Sequence, residues 1–150
     1  QASFRDAACV LLPEADEMPE LTLELVFVST GPSSAPRAVL DVGKNRRLKV
    51  VETHLSADAS DEALSNGLCR VLVAENAQVQ HEVLQQKAES SSFAHSITAE
   101  VAAEGHYGFR AVQCGARCAR LNVAVALQGE KSPAGPVGRR GGAIDLQEPG

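Results

Sequence analysis

The sequence predicts an all-β fold, and within that class an antiparallel β-sandwich, with a jelly-roll as one of two forms it could take, and one or two short helices. Three observations carry this expectation. Several stretches alternate apolar and polar residues with a period of two, which buries one face of a strand and wets the other. These stretches recur at short, regular intervals, separated by Gly, Pro, Asn and Ser. Long helical patterns between strands, which a parallel α/β sheet requires, are lacking.

Taken in order, residues 21–28 (LTLELVFV) are apolar and rich in strand formers, and residues 29–36 (STGPSSAP) break the pattern. Residues 38–42 and 48–51 flank Gly43-Lys44-Asn45 and read as a hairpin. Residues 56–64 carry cap-type residues, early acids and good helix formers, so a short helix is expected, stopping at Asn66-Gly67. Residues 68–73 form a strand with Leu68, Val71 and Val73 as core candidates. Residues 79–87 are ambiguous, because Val79, Val83 and Leu84 fit a helical spacing while the flanks look like strand. Phe93, His95, Ile97, Ala99 and Val101 then share one face of a strand. A turn at residues 103–106 leads to a strand over 107–114. In the last strand, Leu121, Val123, Val125 and Leu127 face one way. Seven or eight such strands make a sandwich domain over residues 1–128. Residues 129–150, rich in Gly, Pro and Arg, read as a linker or tail. No internal repeat stands out.

The chain has 150 residues, the length of one domain, with 44% hydrophobic residues but only 3% aromatic. Ala, Val and Leu must therefore fill the core. The net charge of −5 divides unevenly. Residues 101–150 hold six basic and four acidic side chains (+2), and residues 1–100 hold eight and fifteen (−7). An acidic body short of aromatic rings excludes a nucleic-acid partner of the usual kind, which needs a basic face and stacking platforms. No apolar run is long enough to span a membrane.

Cys9, Cys69, Cys114 and Cys118 are scattered, without the close Cys-x-x-Cys pairs of zinc or thioredoxin-type sites. They are the candidates for two structural disulfides in an oxidising compartment, with four reduced, buried thiols as the alternative. Three connectivities are open, and pairing Cys9 and Cys69 with Cys114 and Cys118 in either order would tie the early chain to the late strands. His54, His81, His95 and His106 share no i, i+2 or i, i+4 spacing, so no metal site is expected. His95 reads as a hydrogen-bonded core histidine and His106 as a turn residue. Ser90–Ser92 form no nucleophile elbow, Gly135, Gly138 and Gly141 neither follow a strand nor open a helix, and Asp61-Glu62 sit in a polar, solvated segment. No catalytic residue, cofactor or metal is expected, and the chain reads as a non-enzyme.

Two resemblances sharpen this reading. Leu40, Leu48, Val50 and Leu55-Ser56, followed by residues 63–73 (ALSNGLCRVLV), resemble the luminal domain of subunit 10 of the endoplasmic-reticulum membrane protein complex. The likeness runs collinearly over about residues 20–136 and centres on Asn66–Val71, although Cys69 stands where that family commonly has Tyr. Residues 103–114 (AEGHYGFRAVQC) with 121–127 are similar to the closing strands of GOLD domains. The first resemblance implies a non-catalytic subunit in the endoplasmic-reticulum lumen that supports membrane-protein insertion by contact with larger membrane-bound or luminal subunits. The second implies a GOLD-like cargo-trafficking module of the secretory pathway. An unrelated secreted adhesion sandwich is a further reading.

Overall fold

Alternation decides the local structure almost everywhere. A computed structural model describes residues 7–17, 19–58 and 62–128, together with the backbone of 143–144. Its elements are strands: β1 (Ala8–Leu12), β2 (Glu20–Ser29), β3 (Ser33–Ser34), β4 (Arg37–Val42), β5 (Arg47–Ser56), β6 (Leu64–Val73), β7 (Gln78–Lys87), β8 (Ser92–Ala102), β9 (His106–Gly115), β10 (Cys118–Gln128) and β11 (Ala143–Ile144). One sheet has the order β1-β4-β6-β8-β10-β11, with β3 also on β6, and the other β2-β5-β7-β9.

From β4 onward, successive long strands lie in opposite sheets, and the chain returns to each sheet one coil later. All pairs except β10–β11 are therefore parallel. The offset between paired residues runs from 26 (Ser92↔Cys118) to 31 (Arg37↔Leu68). This is a parallel β-solenoid, which overturns the antiparallel sandwich. A period-two pattern reports which face is buried and carries no information about the direction of the neighbouring strand. Parallel sheets usually hide both faces and read as unbroken apolar runs, whereas these each keep one wet face.

Four local readings change with the topology. The hairpin at Gly43-Lys44-Asn45 is a corner, since β4 and β5 belong to different sheets. No helix stops at Asn66-Gly67. β5 runs on to Ser56, residues 59–61 of the expected helix lie outside the described residues, and Asn66 and Gly67 sit inside β6. Residues 79–87 are strand, with Val79, His81, Val83, Gln85 and Lys87 turned inward. Leu68 is 38% exposed because the inward set of β6 is Cys69, Val71 and Val73. The tail, with Gly135, Gly138 and Gly141, lies outside the described residues apart from the backbone of 143–144.

The corners stack as the strands do. Asn45, Asn76 and Glu104 occupy equivalent places and share φ of 56°, 56° and 58°. This is the left-handed region, which Asn tolerates better than most residues. Asn76 Nδ2 donates to Asn45 Oδ1 at 2.8 Å, and Lys44 pairs with Glu75 at 2.7 Å.

Inside, the coil is graded. Near these corners it is apolar: Leu40, Val71 and Ala99 stack in register, as do Val42, Val73 and Val101, against Leu48 and Val79. Toward the other end of the same strands it turns polar. There β5 contributes Glu52 and His54, β7 His81 and Gln85, and β8 His95, all at most 2% exposed.

Candidate functional site

Strand parity builds the site. Val50, Glu52 and His54 alternate inward on β5, and β7 sets His81 beside Val50, Val83 beside Glu52 and Gln85 beside His54. From the facing sheet, β8 sends in Phe93 and His95. His95 reaches the carboxylate because its neighbour on β6 is Gly67. A Cβ on Gly67 would collide with His95 Nδ1.

Glu52 is the hub. Its Oε2 accepts from His81 Nε2 and from His95 Nε2, each at 3.1 Å. A carboxylate only accepts, so both Nε2 atoms carry the proton. In the neutral ring this leaves His81 Nδ1 to accept from the Tyr107 hydroxyl at 2.8 Å. Burial works to raise the Glu52 pKa, but the hydrogen bonds from His81 and His95 overcome it and hold the carboxyl well below its usual range. Glu52 is thus an ionised group in a buried interior.

His54 lies against this hub without a hydrogen bond of its own. Its ring stacks on Phe27 at 5.0 Å, meets Phe93 edge-on at 5.1 Å and tilts against His95 at 4.7 Å. Burial, reinforced by His95, pushes its pKa down to about 4, so the imidazole is neutral at ordinary pH. Burial likewise pushes the Cys69 thiol up, with Glu52 adding to the shift, so Cys69 is no thiolate nucleophile. Tyr107 is pushed up for the same first reason.

Unsatisfied atoms concentrate here. Glu52 Oε1, both His54 nitrogens, both side-chain polar atoms of Gln85 and His95 Nδ1 are buried without a partner. Buried polar groups are ordinarily bonded, so such a cluster marks a place for water or an ion. Two groups bring ligand atoms within 4.8 Å of one another: Glu52, His54 and His95, and Glu52, Cys69 and His81.

Below the hub, Lys87 Nζ donates to Ser29 Oγ and, at 2.8 Å, to Leu55 O. Ser29, Ser34 and Ser65 continue as a chain of hydroxyl contacts of 3.0 Å. Ser29 also lines a cavity of about 520 Å³ at this rim, with Thr30, Pro32 and Glu62 among its walls.

Three histidines that share no metal-ligand spacing in the sequence therefore converge, and only His106 remains outside, exposed in its turn. The missed signal was polar parity: Glu52, His54, His81, Gln85, Lys87 and His95 all fall on the inward rows of their strands, among apolar residues. His95 is the hydrogen-bonded core histidine its pattern suggested. Ser91 Oγ donates to Ala88 O at 2.7 Å in a turn, and Glu62 is exposed, whereas Asp61 lies outside the described residues. The four cysteines are free: Cys69 faces the core, and Cys9, Cys114 and Cys118 are exposed. Neither disulfide forms in the structure. Among the described residues no helix is long and apolar enough to cross a membrane.

Residues 26–136 match the family model described as SUF system FeS cluster assembly, SufBD core domain. The chain belongs to the SufBD core family. It is 26% identical over 101 residues to the iron-sulfur cluster assembly protein SufD of Plasmodium berghei (strain Anka), covering 67% of this chain and 8% of that protein. Against SufD of Plasmodium falciparum (isolate 3D7) it is 28% identical over 100 residues, 67% of this chain and 7% of the relative. The chain thus spans less than a tenth of the length of the curated relatives it matches. No solved structure matches it.

The SufBD match overturns both resemblances drawn from sequence, to subunit 10 of the endoplasmic-reticulum membrane protein complex and to GOLD domains. The endoplasmic-reticulum lumen, membrane-protein insertion and cargo trafficking fall with them. Those resemblances rested on a strand such as Asn66–Val71 and on a glycine turn before a cysteine, local features that many β folds share. In the solenoid these residues are one coil's strand and one corner.

Proposed function

We propose that the chain is the solenoid core of a scaffold subunit in iron–sulfur cluster assembly, working through contact with other SUF proteins and performing no catalysis of its own. The match of residues 26–136 to the SufBD core family carries this reading. The names of the two SufD relatives point the same way. The burial of the Glu52 group supports a non-catalytic role, since Glu52 and His54 are 0% exposed and a substrate needs access to reacting atoms. The cluster is cargo in this account. Cluster ligation ordinarily draws on several converging thiolates, and neither group of ligand atoms among the described residues holds more than one cysteine.

Affinity purification of the full-length protein from its own cells tests the reading, paired with its depletion. Other SUF proteins are expected in the eluate, and depletion is expected to lower the activity of several unrelated iron–sulfur enzymes together. Normal iron–sulfur enzyme activity after depletion, with no SUF protein recovered, would overturn it.

A further inference from the structure

We propose that Glu52, His54 and His95 form a buried site for one divalent first-row transition-metal ion, held by a carboxylate oxygen and one nitrogen from each imidazole. The inference stands on the donor set and does not depend on the scaffold reading.

Ligand atoms of the three residues lie within 4.8 Å of one another. Each residue also has a spare donor, because Glu52 Oε1, His54 Nδ1 and Nε2, and His95 Nδ1 are buried and unpartnered. His54 is the most telling. A 0% exposed histidine with neither nitrogen bonded is an expensive choice for a core position that Leu or Phe would fill.

The donor chemistry selects the ion. Two imidazoles and one carboxylate suit Fe²⁺, Co²⁺ or Zn²⁺, whereas Ca²⁺ and Mg²⁺ seek all-oxygen shells and Cu⁺ seeks thiolate or thioether sulfur. The second group, Glu52 with Cys69 and His81, is the weaker candidate. Both His81 nitrogens are already engaged, by Glu52 and Tyr107.

That engagement gives His81 a different part: it holds Glu52 Oε2 and is held in turn by Tyr107, the outer support that orients metal ligands. Gly67 supplies the space in which the His95 ring lies. Phe27 and Phe93 close the site around His54 and would keep bulk water from competing for the ion. With its ligands buried, the site would load as the chain folds.

The test uses tag-free protein produced in medium supplemented with cobalt(II), whose visible absorption reports its ligand geometry. One equivalent of Co²⁺ per folded chain is expected. X-ray absorption should show a nitrogen and oxygen shell with imidazole scattering and no sulfur. His54→Gln should lower the cobalt content at least about tenfold, while His106→Gln, at the exposed turn, leaves it unchanged. Wild-type protein without bound cobalt overturns the proposal, as does a sulfur ligand, which would place the ion at Cys69. Equal loading of folded His54→Gln overturns it too. If that variant does not fold, the absorption spectrum of the wild type decides alone.

Discussion

His54 is where the chemistry of single residues is most exposed to measurement. Burial holds its folded pKa near 4 against 6.5 in an open chain, and His95, Lys87 and His81 push the same way while Glu52 opposes. Between those values the unfolded chain takes up a proton that the folded chain refuses. Stability of the metal-free protein therefore falls as pH drops from 6.5 toward 4, by up to about 3 kcal/mol. Chemical denaturation across that window should show this slope, and His54→Gln should flatten it. An unchanged slope in the variant would mean that His54 is accessible to solvent. Glu52 acts at lower pH and in the same direction. Its depressed folded pKa contributes stability above the usual carboxylate range, lost only as pH falls through the lower folded value.

At the scale of elements, the strands were legible and their partners were not. The face Phe93, His95, Ile97, Ala99 and Val101 is readable from alternation alone, because every second residue of β8 is buried. Leu68 misled, since an apolar residue beside Gly67 says nothing about parity until Cys69, Val71 and Val73 are seen to face inward. Gly67 misled more, reading as the end of a helix when its role is to admit the His95 ring. This predicts coupling between two strands. Gly67→Ala should cost about 1–3 kcal/mol by forcing the ring aside, and most of that cost should vanish in a His95→Ala background, where the methyl finds space. Thermal melts of the four proteins in the double-mutant cycle check this. A Gly67→Ala penalty of the same size in both backgrounds would show that the two residues do not meet.

For the whole molecule, the coil repeat was present in the sequence but blurred. Val42-Gly-Lys-Asn45 and Val73-Ala-Glu-Asn76 are the same corner one coil apart, and their asparagines bond to each other. The third corner has Glu104 in place of Asn, and coil length drifts between 26 and 31 residues, so no fixed period survives to be counted. The interior site was hidden for a related reason. His81 and His95 lie 29 and 43 residues from Glu52 along the chain, and only the parallel pairing of β5 with β7, with β8 facing them from the other sheet, closes those gaps. The convergence of these side chains on Glu52 thus depends on strand direction. Nuclear Overhauser contacts in solution test it most directly. The solenoid predicts cross-strand contacts joining Leu40, Val71 and Ala99 in register, with no close Hα–Hα pairs between neighbouring long strands. A ladder of Hα–Hα contacts between β4 and β5, as in a hairpin, would contradict it.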